Sequence, residues 1–442
     1  EELSVGDADV DELYDAMDWL RARQPRIEKK LAERHLSEGA VVLYDTTSSY
    51  YEGRTCPLAR FGFDRDGAKG LPIIVYGVMT DDEGRPVAVA VYPGNTADPK
   101  TVVEQVEKLR QQFGLSRVVM VGDRGMLTQP QIDKIKTNPG LGWISALTSV
   151  SIRELVKGGH LQLSLFDEKN LAEITSPEYP DERLVVCFNP FLAEERGRKR
   201  RELLAATEKG LARIAQEAAR RTKKPLTQAE LGIKAGKVLG RYKMGKHFIL
   251  TIGAGSFQWT RREDSIEQEA KLDGIYVIRT SESKQRLSAE DTVRKYKSLA
   301  QVERAFRCLK GIDLLVRPIR HRTEDHVRAH VFLCMLAYYV EWHLRKALSP
   351  ILFEDDELEE DRKRRDPIAP AKPSNSVQKK KRERVTADGL PVHSFETLLI
   401  ELGTRCRNSC KVKSDRSGPT FTQVTIPNAL QARAYELLGL SQ

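Results

Sequence analysis

The sequence predicts a mixed α/β fold: a sheet flanked by helices, interrupted by a second α/β unit and followed by a small C-terminal segment. Three observations predict it. Two short apolar runs, VVLYD at 41–45 and RVVMVG at 117–122, read as buried strands that each lead into an aspartate. Between them, 72–80 and 86–92 read as two more strands around DDEGR, a hairpin turn signal. The pattern changes at about 150 and returns to strong helical periodicity over 289–311 and 323–348, as when one unit is inserted into another.

Taken in order, residues 1–40 form an N-terminal helical segment, with Val10, Leu13, Met17 and Leu20, then Ile27 and Leu31, at helical spacing. Pro25 interrupts them, so two short helices are expected. The first part of the sheet core spans 41–150, with helices at 98–113 and 128–137 and a strand at 142–147. The insertion spans 151–288. It has strands at 183–188, 247–252, 256–261 and 274–279, and a helix over 191–221 with Leu204, Leu211, Ile214 and Ala218 on one stripe. The core resumes over 289–350. Residues 351–392 run from EDDELEED through RKRR to KKKRER without an apolar period, which predicts a charged linker or disordered loop. The last segment, 393–442, carries helices near 394–403 and 428–438 and a strand near 420–425.

No apolar run approaches the ~18 residues of a membrane span, and no leader is visible after Glu1, so a cytoplasmic protein is expected. The absence of an initiator Met points to a start downstream of the true N-terminus. The net charge of +9 favours an anionic partner, although a solvated surface has the same composition. The six cysteines are scattered and read as reduced thiols.

The chemistry is carried by carboxylates. Strands ending in Asp45 and Asp123 place acids at one edge of a sheet, where hard oxygen ligands suit Mg²⁺ or Mn²⁺. Either Asp alone is equally a turn or cap residue. A third acid, Glu303, lies beside the apolar stripe Val302, Ala305, Phe306 and Leu309, with Arg304 and Arg307 within about one turn. Alone, Glu303 reads as an ordinary surface residue paired with Arg307.

The order Asp45, Asp123, Glu303 resembles that of the RNase H-like DDE transposases. More closely, the chain resembles bacterial insertion-sequence transposases with a Tyr-Arg-Glu-Lys signature: Tyr296, Glu303 and Lys310 fall at the signature's spacings, and Leu299 stands at its Arg position. The resemblance extends to residues 60–98, GDRGM at 122–126, LDGIYVIRT at 272–280 and the helices of 300–345. It implies that Asp45, Asp123 and Glu303 are the catalytic metal ligands for two Mg²⁺ or Mn²⁺ ions. It implies as partners double-stranded DNA, both element terminal repeats and target, bound by a homodimer in a synaptic complex. It also implies phosphate contacts by Tyr296 and Lys310, and excision through a hairpinned end.

The insertion is expected to carry DNA contacts and an aromatic that stacks on a flipped base. Trp259, with Arg261 and Arg262 close by, and Trp143 are the candidates; Trp259 is equally readable as a core residue, and Trp143 reads more readily as one. Arg198, Lys199, Arg200, Arg201, Arg220, Arg221, Lys223 and Lys224 fit phosphate contacts or the wet face of a helix. His321, His326 and His330 read as structural or DNA-contacting. A metal nuclease without strand transfer and a DNA-binding relative that no longer cleaves are the competing readings.

Overall fold

A computed structural model describes residues 8–166, 170–311, 314–411 and 419–440. It opens with α1 (Val10–His35), one helix despite Pro25. Proline removes one helical donor, and long-range bonds hold the helix through that gap. Gln24 donates to the Val89 carbonyl (3.1 Å), the buried Glu28 carboxylate accepts from Val89 N–H (3.1 Å) and Lys108 (3.0 Å), and Gln112 donates to the Pro25 carbonyl (2.9 Å). The two expected helices are therefore one.

Strand β1 (Ala40–Tyr50) pairs antiparallel with β2 (Ile73–Asp81), which pairs antiparallel with β3 (Pro86–Pro93). Next come α2 (Asp98–Glu107), β4 (Val118–Val121), α3 (Gln129–Lys136) and β5 (Leu141–Ala146). β4 is parallel to β1 and β5 is parallel to β4, which gives the order β3-β2-β1-β4-β5. This is the mixed RNase H-like arrangement. Val42, Tyr44, Met120 and Trp143 of the sheet share one core with Ala32 of α1, Val102 of α2 and Ile132 of α3.

The chain divides into two compact units. The first comprises Glu1–Ala146, Arg279–Pro367 and Ala371–Gln442; the second comprises Leu147–Ile278 and Ile368–Pro370. The second unit contains α4 (Ser149–Lys157), β6 (Leu171–Ile174), β7 (Arg183–Phe188), α5 (Pro190–Arg220), α6 (Gln228–Tyr242), β8 (Phe248–Gly253), β9 (Ser256–Arg261) and α7 (Glu263–Ala270). It ends in β10 (Ile275–Thr280), whose last two residues belong to the first unit. Its helices α5 and α6 and the hairpin β8–β9 close a core around Leu211, Leu231, Phe248 and Phe257.

Back in the first unit, the single late helix expected over 289–311 is two, α8 (Ala289–Lys297) and α9 (Leu299–Lys310). The break falls at Ser298, whose hydroxyl donates back to the Arg294 carbonyl (3.0 Å) and competes with the backbone ladder. Helix α10 (Glu324–Leu348) follows. The segment expected to be a disordered linker instead contains α11 (Leu358–Arg364) and α12 (Asn375–Glu383). Its charges are used: Lys380 donates to the Ser349 carbonyl (2.9 Å) and Glu354 accepts from Arg345 (2.8 Å), while Val377 is buried. The C-terminal region adds α13 (Phe395–Gly403), a hairpin of β11 (Arg407–Cys410) and β12 (Phe421–Val424), and α14 (Ala429–Leu437). Among the described residues, no helix is long and apolar enough to cross a membrane.

Candidate active site

Asp45 does not end its strand. β2 pairs with β1 through Tyr50, opposing Asp45 to Val78, whereas β4 stops at Val121 opposite Leu43. The run Thr46–Ser49 stays in the strand because its polar side chains find partners. Ser48 donates to the Phe63 carbonyl (3.3 Å), Ser49 bonds the Tyr76 hydroxyl (3.0 Å) and Thr46 donates to Asp98 (2.6 Å). The shorter β4 leaves room beyond its end. Continuing its register by two residues brings Asp123 level with Asp45.

The two acids are close enough for the charge of one to act on the other. Burial raises the Asp45 carboxyl to about 7, and the charges of Asp123 and Asp98 push the same way. The Thr46 N–H, at 2.8 Å, and the Arg65 guanidinium oppose that rise. Asp123 is exposed and nucleates its own turn, accepting from Met126 N–H at 2.7 Å through its side chain.

Glu303 is exposed on α9, with Val302 and Phe306 buried beneath it, and α9 packs on β1. Tyr296, at the end of α8, lies within electrostatic reach of both Glu303 and Asp123. Burial raises this phenol to about 12, with the negative charges of Asp123 and Glu303 acting in the same direction. Among the described residues, no three His, Cys, Asp or Glu side chains are grouped so as to hold one metal ion. Asp45 and Asp123 nevertheless suit a divalent cation: they are hard oxygen donors, and Asp45 is poorly solvated with the charge of Asp123 acting on it.

The sequence reading missed Asp98 and Arg65. Asp98, at the start of α2, accepts from Thr46 (2.6 Å), and both of its carboxylate oxygens lie 2.6 Å from one Arg65 nitrogen, Nη2. This ties the backbone beside Asp45 to a fixed cation. Both residues lie in the stretch 60–98 that carries the resemblance, but only the fold brings them to Asp45.

Several expected DNA contacts are otherwise engaged. Lys310 donates to the Ser48 carbonyl (2.6 Å) and pairs with the buried Asp66 carboxylate (2.9 Å), which also takes Arg317 (2.6 Å). Arg304 reaches Glu354 (3.2 Å), and Arg307 is exposed. In the second unit Arg200 is buried against Asp273, so it is not the surface phosphate contact expected of it. Arg201 and Arg262 are exposed, and Arg261 grips Glu208 (2.9 Å through Nη2). Trp259 is half-buried, edge-on to Phe248 at 5.8 Å, and Trp143 is fully buried in the first unit's core. Of the expected basic set, Arg198 and Lys199 pair along α5 with Glu202 (2.9 Å) and Glu195 (2.7 Å). His326 stacks on Tyr14 at 4.7 Å, and His330 bonds the Val316 carbonyl at 3.1 Å.

With this geometry in hand, the sequence profile described as the transposase DDE domain matches residues 64–340, more than half of the chain. The chain belongs to the DDE transposase family. No curated protein matches this transposase sequence. Three solved structures are similar to it at low identity. The Mos1 transposase paired-end complex with left transposon end is 13% identical over 32% of this chain and 44% of that one, with a TM-score of 0.18. The piggyBac transposase synaptic complex with hairpin DNA is 11% identical over 79% and 63%, with a TM-score of 0.25. The Mos1 mariner paired end complex with Mn is 14% identical over 28% and 42%, with a TM-score of 0.16. This transposase chain thus spans less than two thirds of the length of each.

Proposed function

We propose that the chain catalyses DNA strand cleavage and strand transfer at the ends of an insertion sequence, with Asp45, Asp123 and Glu303 as its catalytic carboxylates. The observation that supports the reading is the parallel pairing of β1 with β4, whose register continued by two residues brings Asp123 level with Asp45, with α9, the helix that bears Glu303, packed on β1. A poorly solvated carboxylate with a second acid near it forms a site that gains from a bound cation.

Asp45 and Asp123 would hold Mg²⁺ or Mn²⁺, with Glu303 completing the set. Two such ions supply Lewis-acid stabilisation of the attacking and leaving oxygens of a phosphodiester. Asp98 and Arg65 hold the Asp45 segment in place, and the Arg65 guanidinium offsets part of the acids' charge until DNA arrives. Tyr296 keeps its proton at neutral pH and so offers a hydroxyl donor beside Asp123. Phosphoryl transfer depends mainly on positioning and electrostatic stabilisation, so these residues need do little covalent chemistry. The partner is double-stranded DNA, and the working form is a homodimer that synapses two ends.

The test is DNA cleavage and joining in Mg²⁺ or Mn²⁺ by Asp45→Asn, Asp123→Asn and Glu303→Gln. Each should lower cleavage by orders of magnitude while DNA binding survives, and the losses should not add. Wild-type cleavage by Glu303→Gln would overturn its assignment, and cut products without joined ones would favour a nuclease.

A further inference from the structure

Phe61 and Phe63 are 72% and 78% exposed, on a loop that offers buried positions to Leu58 and Tyr51. The loop is firmly held. Arg60 exchanges backbone bonds with Ile73 (3.1 and 2.8 Å), and the Phe63 carbonyl accepts from Ser48 (3.3 Å). Gly62 packs so closely that a Cβ there would lie 2.0 Å from the Gly94 carbonyl oxygen. Its two aromatic neighbours are thus presented to solvent by a rigid backbone.

Charge surrounds the rings. Phe61 lines a cavity of about 500 Å³ together with Tyr51, Arg54, Thr55 and Arg60. Arg54 and Arg60 are exposed and, among the described residues, neither is in an ion pair. The nearby acid Glu52 is held by Arg320 at 3.0 Å. The Arg65 guanidinium sits 5.5 Å from the Phe63 ring centre and is also the cation that bonds Asp98 beside Asp45. Ser48, which anchors the loop, is three residues along β1 from Asp45, about 10 Å of strand.

An exposed ring that shares a cavity with two guanidiniums in no ion pair, with a second exposed ring two residues on, matches a nucleotide: the ring takes the base and the cations take its phosphates. Inside a duplex both base faces are already stacked, so only an unpaired base can offer one. We propose that Phe61 and Phe63, with Arg54 and Arg60, form a binding site for an unpaired nucleotide of the DNA. The proposal rests on the DNA-cleavage reading above and assigns the stacking to this loop of the first unit.

The test is fluorescence anisotropy in EDTA, so that nothing is cut, with a single-stranded oligonucleotide and a blunt duplex of equal length. The Phe61→Ala/Phe63→Ala double variant should lose on the order of tenfold in single-strand affinity with little change for the duplex. Phe61→Trp should keep that affinity and show quenched indole emission on binding, whereas Phe61→Leu should not keep it. Equal losses on both DNAs, or unchanged single-strand binding, would overturn the proposal. So would loss of self-association in sedimentation with DNA affinity intact, which would mark a protein interface. Ring-dependent binding by a wild type that cuts no DNA would remove the cleavage reading and leave this site standing.

Discussion

At Lys310 the ammonium lies 2.9 Å from a carboxylate that is itself 1% exposed, so its charge faces the protein interior. Burial lowers the lysine's pKa, and Asp66 opposes that shift. Removing one partner of such a pair leaves an uncompensated buried charge, which costs about 3–5 kcal/mol. Here Arg317 still reaches Asp66, so Lys310→Met should cost about 3 kcal/mol, at the low end of that range. A denaturant melt checks it. An unchanged midpoint with weakened DNA binding would return Lys310 to the phosphate role that its spacing from Glu303 implies. The spacing was legible in the sequence because it is local. The engagement with Asp66 was not, because 244 positions separate the two residues.

The elements show the same division between local and distant causes. Strands with continuous apolar runs and helices with a clean period could be read directly, as in β4, β5 and α10. β1 was read five residues short because TTSS has no apolar signal, and only β2 and the Tyr76 and Asp98 side chains keep it extended. α1 was cut at Pro25 because the bonds that bridge the proline come from β3 and the turn after α2. The missed helix α6 starts with a capping box, Thr227 to Glu230, which the sequence did display. In the β8–β9 hairpin, Trp259 packs on Phe248 and the apolar residues of α5 and α6. Trp259→Ala should therefore cost about 3 kcal/mol and lower every reaction step together. A thermal melt beside a stepwise cleavage gel decides this: a normal melt with a selective block in hairpin formation would assign the indole to a flipped base instead.

On the scale of the whole molecule, acid is a weak point. Burial lowers His35 to about 4, helped by Arg85, His343 and Arg34 and opposed by Glu83. Burial with His330 and His326 lowers His321 to about 4. Both rings are neutral when folded, whereas the unfolded chain takes up protons as the pH falls through about 6.5. The unfolded state thus binds more protons between about 6.5 and 4. Stability from these groups is complete above that window and is lost as the pH falls through it. Thermal midpoints should decline from pH 7 to pH 4.5, and His35→Gln/His321→Gln should flatten the decline. An equal slope in the double variant would place the acid sensitivity elsewhere.

The chain leaves the first unit after Ala146 and re-enters it at Arg279. At both sides of that crossing the strands are hydrogen-bonded neighbours: Leu147 N–H donates to the Val277 carbonyl (2.8 Å), and Ser281 N–H to that of Trp143 (3.3 Å). A segment whose ends meet can lengthen, shrink or be exchanged without altering the host that carries it. Inheritance can therefore treat the two parts of this gene differently. In the stretch encoding β1, by contrast, a one-position slip would turn Asp45 to the other face of the sheet, so length cannot change there without cost. The stretch between β5 and β10 is a side branch that can change in length and sequence while the strands around Asp45 keep their register.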